Sequence, residues 1–357
     1  MRFKIPKDGK WSGVFPGEES GIIYAAKSID LERYKGKVAL ADSYSDIVNS
    51  GSLANLTTPI AFVRSSADGT DRYWANGGRL FKTTNTNPET GWAQDAIAST
   101  PTAPLYDLID FVGALICPTS TDLSRLASGV WTASWWQGTL AQSALTANPH
   151  RFFILAGSLC FTDGRLIHSY DGTIVRPDLT LPQGFIGYGG LVLGGIVYIF
   201  GQQIGGGETH IYTWDGITQE EIAKYPVGDS EVLGGWVADS VYIVTKKGYI
   251  KRFNGVGFGT VQQFPTAEFQ QQITSIHPNG ISVSENIAKI LVNFGAISNT
   301  RLVSGLWNYD MGSKNLYNSG SVRNTSTKDY AQHELADVGA LKQTSVGQGL
   351  YLIGAQV

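Results

Sequence analysis

Three tryptophans close together in the sequence are the residues best suited to binding a ligand. Trp131, Trp135 and Trp136 form the densest aromatic cluster of the chain, and an exposed indole face can stack on a sugar ring. Trp131 falls at a strand position where a tryptophan packs between sheets. Trp135 and Trp136 are adjacent, so in a β-strand they point to opposite faces, which leaves one of them exposed. We therefore take Trp135 and Trp136 as the candidate contacts for a ligand or partner.

Residues suited to catalysis or metal binding are scattered rather than grouped. No two of the five histidines have the spacing of metal ligands on one element. The segment Ser66–Asp71 carries several oxygen atoms, but it lacks the spacing of a calcium loop. The glycine triplet Gly205–Gly207 precedes a strand rather than a helix, which argues against a phosphate site. We predict no catalytic residue, no metal ligand and no cofactor, although a repeat fold can bring distant carboxylates together.

The two cysteines, Cys117 and Cys160, are 43 residues apart. A disulfide or a metal pair is one interpretation. Free cysteine behaves as a small buried apolar residue, however, and two thiols alone make no zinc site. The spacing therefore predicts two buried thiols at equivalent positions of successive structural repeats.

A short sequence motif, the recurring phrase, repeats at a nearly constant interval. The elements that it marks must position the candidate residues. An aromatic residue, then Asp or Asn, then Gly, occurs at Tyr170–Gly172, Trp214–Gly216 and Phe253–Gly255, with 44 and 39 residues between the glycines. Runs of β-branched and aromatic residues bounded by turn residues precede each copy. Repeats of this length built from short strands are typical of a β-propeller, with one four-stranded antiparallel meander per blade.

Each Asp-Gly or Asn-Gly pair is predicted to be a two-residue type I′ hairpin between the third and fourth strands of a blade. The third strands align by their first residue, and the sixth copy is displaced by 56 residues from the fifth. We expect these third strands to begin at Leu80, Leu123, Leu166, His210, Tyr249 and Gly305. The excess before the sixth copy, within Ile273–Arg301, is a candidate partner-binding loop or a neutral surface insertion.

Composition agrees with an all-β fold. The 357 residues include 43 glycines, 11% aromatic residues and only 16% charged residues, with a net charge of −3. This balance argues against long amphipathic helices, disorder and a nucleic-acid surface. The sequence contains no apolar run long enough to span a membrane and no apolar signal-peptide core near its start, which predicts folding in a cytoplasm.

We expect a single domain. Residues 1–55 are predicted to be a lead-in that carries ring-closing strands, and residues 56–357 the propeller repeats. Seven blades are favoured and six are possible. In the seven-bladed arrangement, N-terminal strands near Ile22–Ala26 and Val38–Ala41 share the last blade with Leu350–Gly354, because such pairing removes exposed edges.

The N-terminal part of the chain resembles the lead-in of a group of tailed-bacteriophage proteins. The residues that carry the resemblance are Tyr24, Lys27, Ile29 and Asp30, supported by the repeat phrases Gly78–Lys82 and Asp163–Ile167. The resemblance implies a virion structural protein, tail-associated, assembled in the host cytoplasm, and it offers no catalytic residues to carry over.

The first hypothesis is therefore a non-enzymatic virion component whose propeller is a rigid platform for assembly or host attachment. Its expected partners are other virion proteins, a host-surface glycan remains open, and a symmetric oligomer is expected. The second hypothesis is a glycan-binding lectin propeller. The third is a polysaccharide hydrolase or lyase with carboxylates at the propeller axis.

Overall fold

The computed structural model describes most of the chain between residues 107 and 321. The described ranges are 107–146, 150–229, 231–266, 272–276, 280–284, 286–292 and 305–321, with Leu105, Phe294 and separate strands in residues 29–96 and 341–352. In this described part, no helix has the length and apolar character needed to cross a membrane.

Within the described residues, six four-stranded antiparallel sheets follow one another along the chain, and we name them blades I to VI. Blade I comprises β3 (Ile60–Ser65), β4 (Arg72–Asn76), β5 (Arg79–Thr83) and β6 (Asp95–Ala96). Blade II comprises β7 (Ile109–Phe111), β8 (Ala114–Pro118), β9 (Leu123–Ala127) and β10 (Val130–Thr132). Blade III comprises β11 (Phe152–Leu155), β12 (Ser158–Asp163), β13 (Leu166–Tyr170) and β14 (Val175–Thr180).

The second three blades repeat this plan. Blade IV comprises β15 (Phe185–Leu193), β16 (Ile196–Gln203), β17 (Thr209–Trp214) and β18 (Ala223–Pro226). Blade V comprises β19 (Val232–Val237), β20 (Val241–Thr245), β21 (Tyr249–Phe253) and β22 (Phe258–Gln263). Blade VI comprises β23 (Ile281–Ser284), β24 (Ile287–Val292), β25 (Gly305–Asp310) and β26 (Asn315–Ser321).

The strands of every blade pair in sequence order, first with second, second with third and third with fourth. This succession of four-stranded meanders confirms the predicted all-β propeller of antiparallel blades. The six predicted third strands are β5, β9, β13, β17, β21 and β25, and each begins within one residue of its predicted start. The displaced sixth copy is therefore correctly aligned.

Two further hairpin sheets lie near the chain ends. Strand β1 (Ile29–Asp30) pairs with β2 (Ala39–Leu40), and β27 (Leu341–Gln343) pairs with β28 (Leu350–Leu352). The backbone of β27 lies beside those of β23 and β3, the first strands of blades VI and I. The two hairpins form separate sheets, so a shared seventh blade stays a prediction. The expected strand Ile22–Ala26 lies outside the described residues, as does most of the predicted lead-in 1–55.

The Asp-Gly and Asn-Gly pairs are not two-residue type I′ turns, so that prediction is wrong. The connection after β13 has four residues, and the Asp171 carboxylate accepts the N–H groups of Thr173 and Ile174 at 2.8 and 2.7 Å. Gly172 alone has positive φ, at 103°. The short aspartate side chain closes a local Asx turn with its own backbone, and this geometry needs no left-handed aspartate.

Turns with two left-handed residues occur elsewhere in the described blades. Both central residues of four two-residue hairpins have positive φ, as type I′ geometry requires. These turns are Val112–Gly113, Ser128–Gly129, Ala156–Gly157 and Gly194–Gly195. Three of them join first to second strands, and only Ser128–Gly129 joins a third to a fourth strand.

A meander reverses direction at every turn, so the turns between strands 1 and 2 and between strands 3 and 4 lie at the same end of a blade. We call this end of blades II to V the turn face. Neighbouring blades are in contact there: a Cβ at Gly172 would lie 3.7 Å from Val112 Cγ2, and one at Gly216 would lie 3.0 Å from Leu155 Cδ2. The first turn of one blade thus packs on the last turn of the next.

Apolar side chains between adjacent blades form the core. A bulge recurs at the same place between the third and fourth strands of blades III, V and VI, at Ile167/His168, Ile250/Lys251 and Leu306/Trp307. The two cysteines are free and buried in the second strands of blades II and III, as predicted, but their positions are not equivalent. Cys117 packs with Tyr73 and Leu80 of blade I, whereas Cys160 packs with Val197 and Tyr212 of blade IV. Burial and, to a smaller extent, the nearby Asp178 carboxylate raise the pKa of Cys160 to about 12.

Candidate functional site

The segment that follows the last strand of blade II, residues 133–146, is a long loop that we call the tryptophan loop. In blade III, the N–H of Leu181, directly after the fourth strand, donates to Arg165 O at 2.8 Å. In blade IV, the N–H of Val227 donates to Thr209 O at 3.0 Å. In blade II, the corresponding return is delayed until Leu145, whose N–H donates to Thr121 O at 2.9 Å. The tryptophan loop is therefore an insertion into the exit of blade II.

One carboxylate at the start of the third strand of blade II holds this loop. Asp122 Oδ1 accepts the backbone N–H groups of Leu123, Trp136 and Gln137 at 2.7, 3.1 and 3.3 Å. Asp122 Oδ2 accepts the Ser134 hydroxyl at 2.5 Å and the Gln137 side-chain amide at 3.2 Å. The segment Trp135–Thr139 then forms a single π-helical turn, the rare form in which an inserted residue widens a helix.

Both candidate tryptophans are buried, so the expectation that one is exposed on a strand is wrong. Trp135 and Trp136 are 3% and 2% exposed. Successive side chains of a helical turn project roughly 100° apart rather than 180°, so neighbours can enter one core. Trp135 meets the edge of Tyr170 at 5.2 Å between ring centroids, and Trp136 meets Phe161 at 5.2 Å. Neither tryptophan therefore has an exposed indole face with which to contact a ligand.

Two histidines and an aspartate form a cluster next to the tryptophan loop, and sequence reasoning did not bring them together. Asp163 Oδ2 lies 3.4 Å from His168 Nε2, and Asp163 Oδ1 lies 3.9 Å from His150 Nδ1. Asp163 Oδ1 also accepts the backbone N–H and the hydroxyl of Thr146, at 2.7 and 2.6 Å. The end of the tryptophan loop is thereby joined to the turn between β12 and β13.

His150 connects blade II to blade III. Its Nδ1 lies 2.8 Å from Thr162 O, and its Nε2 lies 3.3 Å from Ser120 O. A backbone carbonyl can only accept a hydrogen bond, and a neutral imidazole has one N–H. Either ring nitrogen of His150 can therefore donate to the carbonyl that it faces, and the ring connects Ser120, just after β8, to Thr162 in β12.

The electrostatics of Asp163 follow from this arrangement. Burial acts to raise the pKa of Asp163, but the hydrogen bonds from His168 and Thr146 and the charge of His150 outweigh burial and lower it. The His168 ring stacks on Phe161 at 5.2 Å and meets the edge of Trp136 at 5.3 Å. Its Nδ1 is buried and has no hydrogen-bond partner in the described residues.

This site joins two blades, but its histidines and aspartate have almost no exposed surface for a substrate. His150, Asp163 and His168 are all buried. In the described part of the chain, no group of three or more His, Cys, Asp or Glu side chains has the arrangement of a metal site. The chemistry of the site is therefore internal: it fixes the tryptophan loop on blade III.

A second buried charge lies between blades IV and V. Lys251 occupies the bulge position of β21, and its Nζ donates to Val227 O at 2.5 Å. Burial lowers the pKa of Lys251, although the Asp229 carboxylate acts in the opposite direction. Asp229 also contacts Lys247 at 3.4 Å. In the sequence alignment of the third strands, Lys251 and His168 occupy the same position. This match could have identified both residues as polar side chains between blades.

The first residues of the predicted partner loop, which lies within Ile273–Arg301, are buried in the core. Ile273 and Ile276 are buried, and the Ile273 N–H donates to Lys246 O at 2.9 Å. The excess residues fall into two connections, one between β22 and β23 and one between β24 and β25. Residues 295–304 lie outside the described part of the chain, so partner binding by this loop stays a prediction.

The turn face carries the exposed apolar residues that sequence reasoning missed. Most of the large apolar side chains exposed in the described residues belong to these turns or directly follow them. They are Val112, Val130, Ile174, Ile217, Ile222 and Val256. Ile174, Ile217 and Val256 each come one or two residues after the glycine of the recurring phrase, so the repeat itself marks them.

Comparisons with known proteins identify the fold but no family. No protein-family model matches the chain, and no curated protein matches it. The extracellular domain of a one-component system from B. thetaiotaomicron is similar over 83% of this chain and 37% of that chain, with 9% identity and a TM-score of 0.54. The chain thus spans about a third of that protein's length.

Two further solved structures have lower TM-scores. The WD40 domain of Pan2 from Neurospora crassa matches 75% of this chain and 80% of that chain, with 10% identity and a TM-score of 0.49. The computationally designed Ika8 protein matches 80% of this chain and 90% of that chain, with 10% identity and a TM-score of 0.47. At such identities a likeness concerns the fold alone.

Proposed function

We propose that this chain is a non-enzymatic structural component of a bacteriophage particle, associated with the tail. In this role the propeller is a rigid platform for assembly or for attachment to the host surface. Its partners are other proteins of the particle. The observation that carries the platform role is the turn face, where successive rigid turns of blades II to V present exposed aliphatic side chains to a partner.

The internal use of the chemically active side chains supports a role without catalysis. His150 and His168 are buried, and each lies against the buried Asp163 carboxylate. The carboxylates of the recurring aspartates accept hydrogen bonds from the backbone of their own turns. Asp215 Oδ1, for example, accepts the N–H groups of Ile217 and Thr218, both at 2.9 Å. Such carboxylates form turns, and their regular recurrence is explained by the repeat.

The connection to a bacteriophage particle rests on the resemblance of Tyr24, Lys27, Ile29 and Asp30 to the lead-in of tail-associated proteins. The decisive experiment is mass spectrometry of purified particles from the phage or prophage that encodes the chain, followed by cryo-EM of the tail. We expect the chain at a fixed copy number per particle. Its absence from particles that contain the other tail proteins would overturn the proposal.

Incubation of the purified protein with a panel of host-surface polysaccharides tests the absence of catalysis. We expect no change in polysaccharide chain length. Cleavage would overturn the non-enzymatic role. Saturable binding without cleavage would place the platform at the attachment step rather than in assembly alone.

A further inference from the structure

The turn between β21 and β22, at the tip of blade V, differs from its counterparts in one side chain. Within the described residues, an Asx turn follows the third strand in each of blades III to VI, and one side-chain oxygen accepts two backbone N–H groups. In blades III, IV and VI this oxygen belongs to an aspartate, namely Asp171, Asp215 and Asp310. In blade V it belongs to a carboxamide: Asn254 Oδ1 accepts the N–H groups of Val256 and Gly257 at 3.0 and 2.9 Å.

The surroundings of Asn254 leave its carboxamide open to reaction with the next residue. Asn254 and Gly255 are exposed, and a Cβ added at Gly255 would meet no atom within 4 Å beyond its chain neighbours. Because Oδ1 bonds to the residues two and three positions further on, the side chain folds over the peptide that joins Asn254 to Gly255. This fold brings the carboxamide carbon Cγ beside the Gly255 nitrogen.

The hydrogen bonds of the turn also polarise the carboxamide. When a nitrogen attacks Cγ, Oδ1 becomes an oxyanion, and N–H donors that already point at such an oxygen stabilise it. The N–H groups of Val256 and Gly257 hold these two positions. The attacking nitrogen, that of Gly255, donates no hydrogen bond within the described part of the chain, so attack breaks none.

We propose that Asn254 is a site of spontaneous deamidation, at which the tip of blade V gains a negative charge. The Gly255 nitrogen loses its proton to water and bonds to Asn254 Cγ. The bond from Cγ to Nδ2 breaks, and Nδ2 takes up a proton and leaves as ammonia. Water then opens the cyclic imide, giving aspartate when it adds at Cγ and isoaspartate when it adds at the backbone carbonyl of residue 254.

The aspartates of the equivalent turns are poorer substrates for the same ring closure. Hydrogen bonds from the backbone N–H groups of Ile174 and Thr218 lower the pKa of Asp171 and Asp215, and an ionised carboxylate is a weak electrophile. An aspartate at position 254 fits the turn that Asp215 already forms, so the charge appears beside the exposed Val256 without rebuilding the backbone. The reaction needs only water and is independent of any role in a bacteriophage particle.

Peptide mass spectrometry of the full chain, incubated at mildly alkaline pH either folded or in denaturant, tests the site. Fragment ions assign conversion to single asparagines, and Asn76 and Asn279, which also precede glycine, are followed in the same digests. We expect Asn254 to deamidate at least as fast in the folded chain as in the denatured chain, because only the folded turn supplies the two donors. Slower conversion in the folded chain would show that the turn protects Asn254, and would overturn the proposal.

Two variants complete the test. Asn254→Gln lengthens the side chain so that the five-membered imide cannot form, and it should show no conversion at position 254 while Asn76 and Asn279 react as in the wild type. Asn254→Asp represents the product and should keep the unfolding midpoint of the wild type. A clearly lower midpoint for Asn254→Asp would contradict the fit of an aspartate in this turn.

Discussion

The contact between blades II and III differs in chemistry from the contact between blades V and VI, and we call each such contact a joint. One position of the third strand carries a polar side chain in the first joint and an aromatic side chain in the second. The residue that follows the bulge in the third strand is His168 in blade III and Trp307 in blade VI. His168 meets Trp136 of the preceding blade's exit and pairs with Asp163. Trp307 instead packs on Phe264 and Phe294, at 5.3 and 5.9 Å between ring centroids.

The comparison shows that blade geometry does not dictate the chemistry of a joint. The backbone repeats, including its bulge, while the side chains that join neighbouring blades are either a hydrogen-bonded charge cluster or a group of aromatic rings. A charge cluster is directional and responds to pH, whereas aromatic packing depends on buried area and fit. The two joints should therefore respond differently to substitution and to pH.

The largest effect is expected from Trp307→Ala in the aromatic joint. Trp307 is buried, and deletion of its indole removes apolar contacts and leaves a cavity, at a cost of about 3–5 kcal/mol of unfolding free energy. Urea unfolding followed by circular dichroism measures the loss. The conservative change Trp307→Phe should retain most of the stability. A loss below about 1 kcal/mol would mean that the joint repacks and that the comparison is wrong.

A smaller loss is expected from Asp163→Asn in the polar joint. The variant keeps the shape of Asp163 but removes the charge beside His150 and His168, which should cost about 1–3 kcal/mol at pH 7. Urea unfolding at pH 7 gives this value. An unchanged midpoint would show that the charge cluster contributes nothing to the joint.

The same variant should show the pH response of the polar joint. The folded pKa of Asp163 is lowered, so its contribution is complete above the unfolded value of about 3.9 and is lost as pH falls through the folded value. The difference in stability between the wild type and Asp163→Asn should therefore shrink on going from pH 7 to pH 3. The difference between the wild type and Trp307→Phe should change less over the same range, and an equal change would remove the distinction between the joints.

Asp122→Ala should loosen the tryptophan loop at a cost of about 0.5–2 kcal/mol, like the loss of a helix cap. Asp122 accepts the N–H groups of Trp136 and Gln137, so its removal leaves the π-helical turn without an anchor. Acrylamide quenching of tryptophan fluorescence should increase in this variant. The control Asn254→Ala removes an exposed turn side chain in blade V, which accepts the N–H groups of Val256 and Gly257, and should leave quenching unchanged. Equal quenching in both variants would contradict the anchoring role of Asp122.

The smallest effect is expected at the two buried thiols, which lie in the joints on either side of the polar joint. With a pKa of about 12, Cys160 is ionised in only about one molecule in ten thousand at pH 8. Ellman's reagent should therefore label neither Cys160 nor Cys117 in the folded protein and both after denaturation. Rapid labelling of Cys160 in the native protein would show that the joint between blades III and IV opens readily.

The blades were predictable because their signal is local and periodic. The third strands follow from the recurring phrase, since each copy combines a strand with a turn that must reverse the chain. The type of that turn was not predictable from Asp-Gly alone, because an aspartate that bonds to its own backbone makes a longer turn equally stable. Two of the four actual two-residue turns place Val112 and Ala156 before glycine, and valine and alanine are weak turn signals.

The candidate site was predictable only in part. Trp135 and Trp136 stood out by type, but their burial depends on Asp122, which lies far from them in sequence and bonds to the turn through space. His150, Asp163 and His168 come from three elements that only the fold brings together. The equivalence of His168 and Lys251 in the aligned third strands was the one sequence signal for buried charge in these joints.

In the Asx turns of the turn face, neighbouring residues differ in how well they tolerate mutation. At the tip of blade IV, Asp215 and Gly216 shape the backbone, whereas the neighbouring Ile217 side chain is almost entirely outside it. Selection can therefore exchange the tip residue, blade by blade, without disturbing the scaffold on which it is displayed. A lineage of such proteins could acquire new binding preferences through single codon changes while every copy continues to fold in the same way.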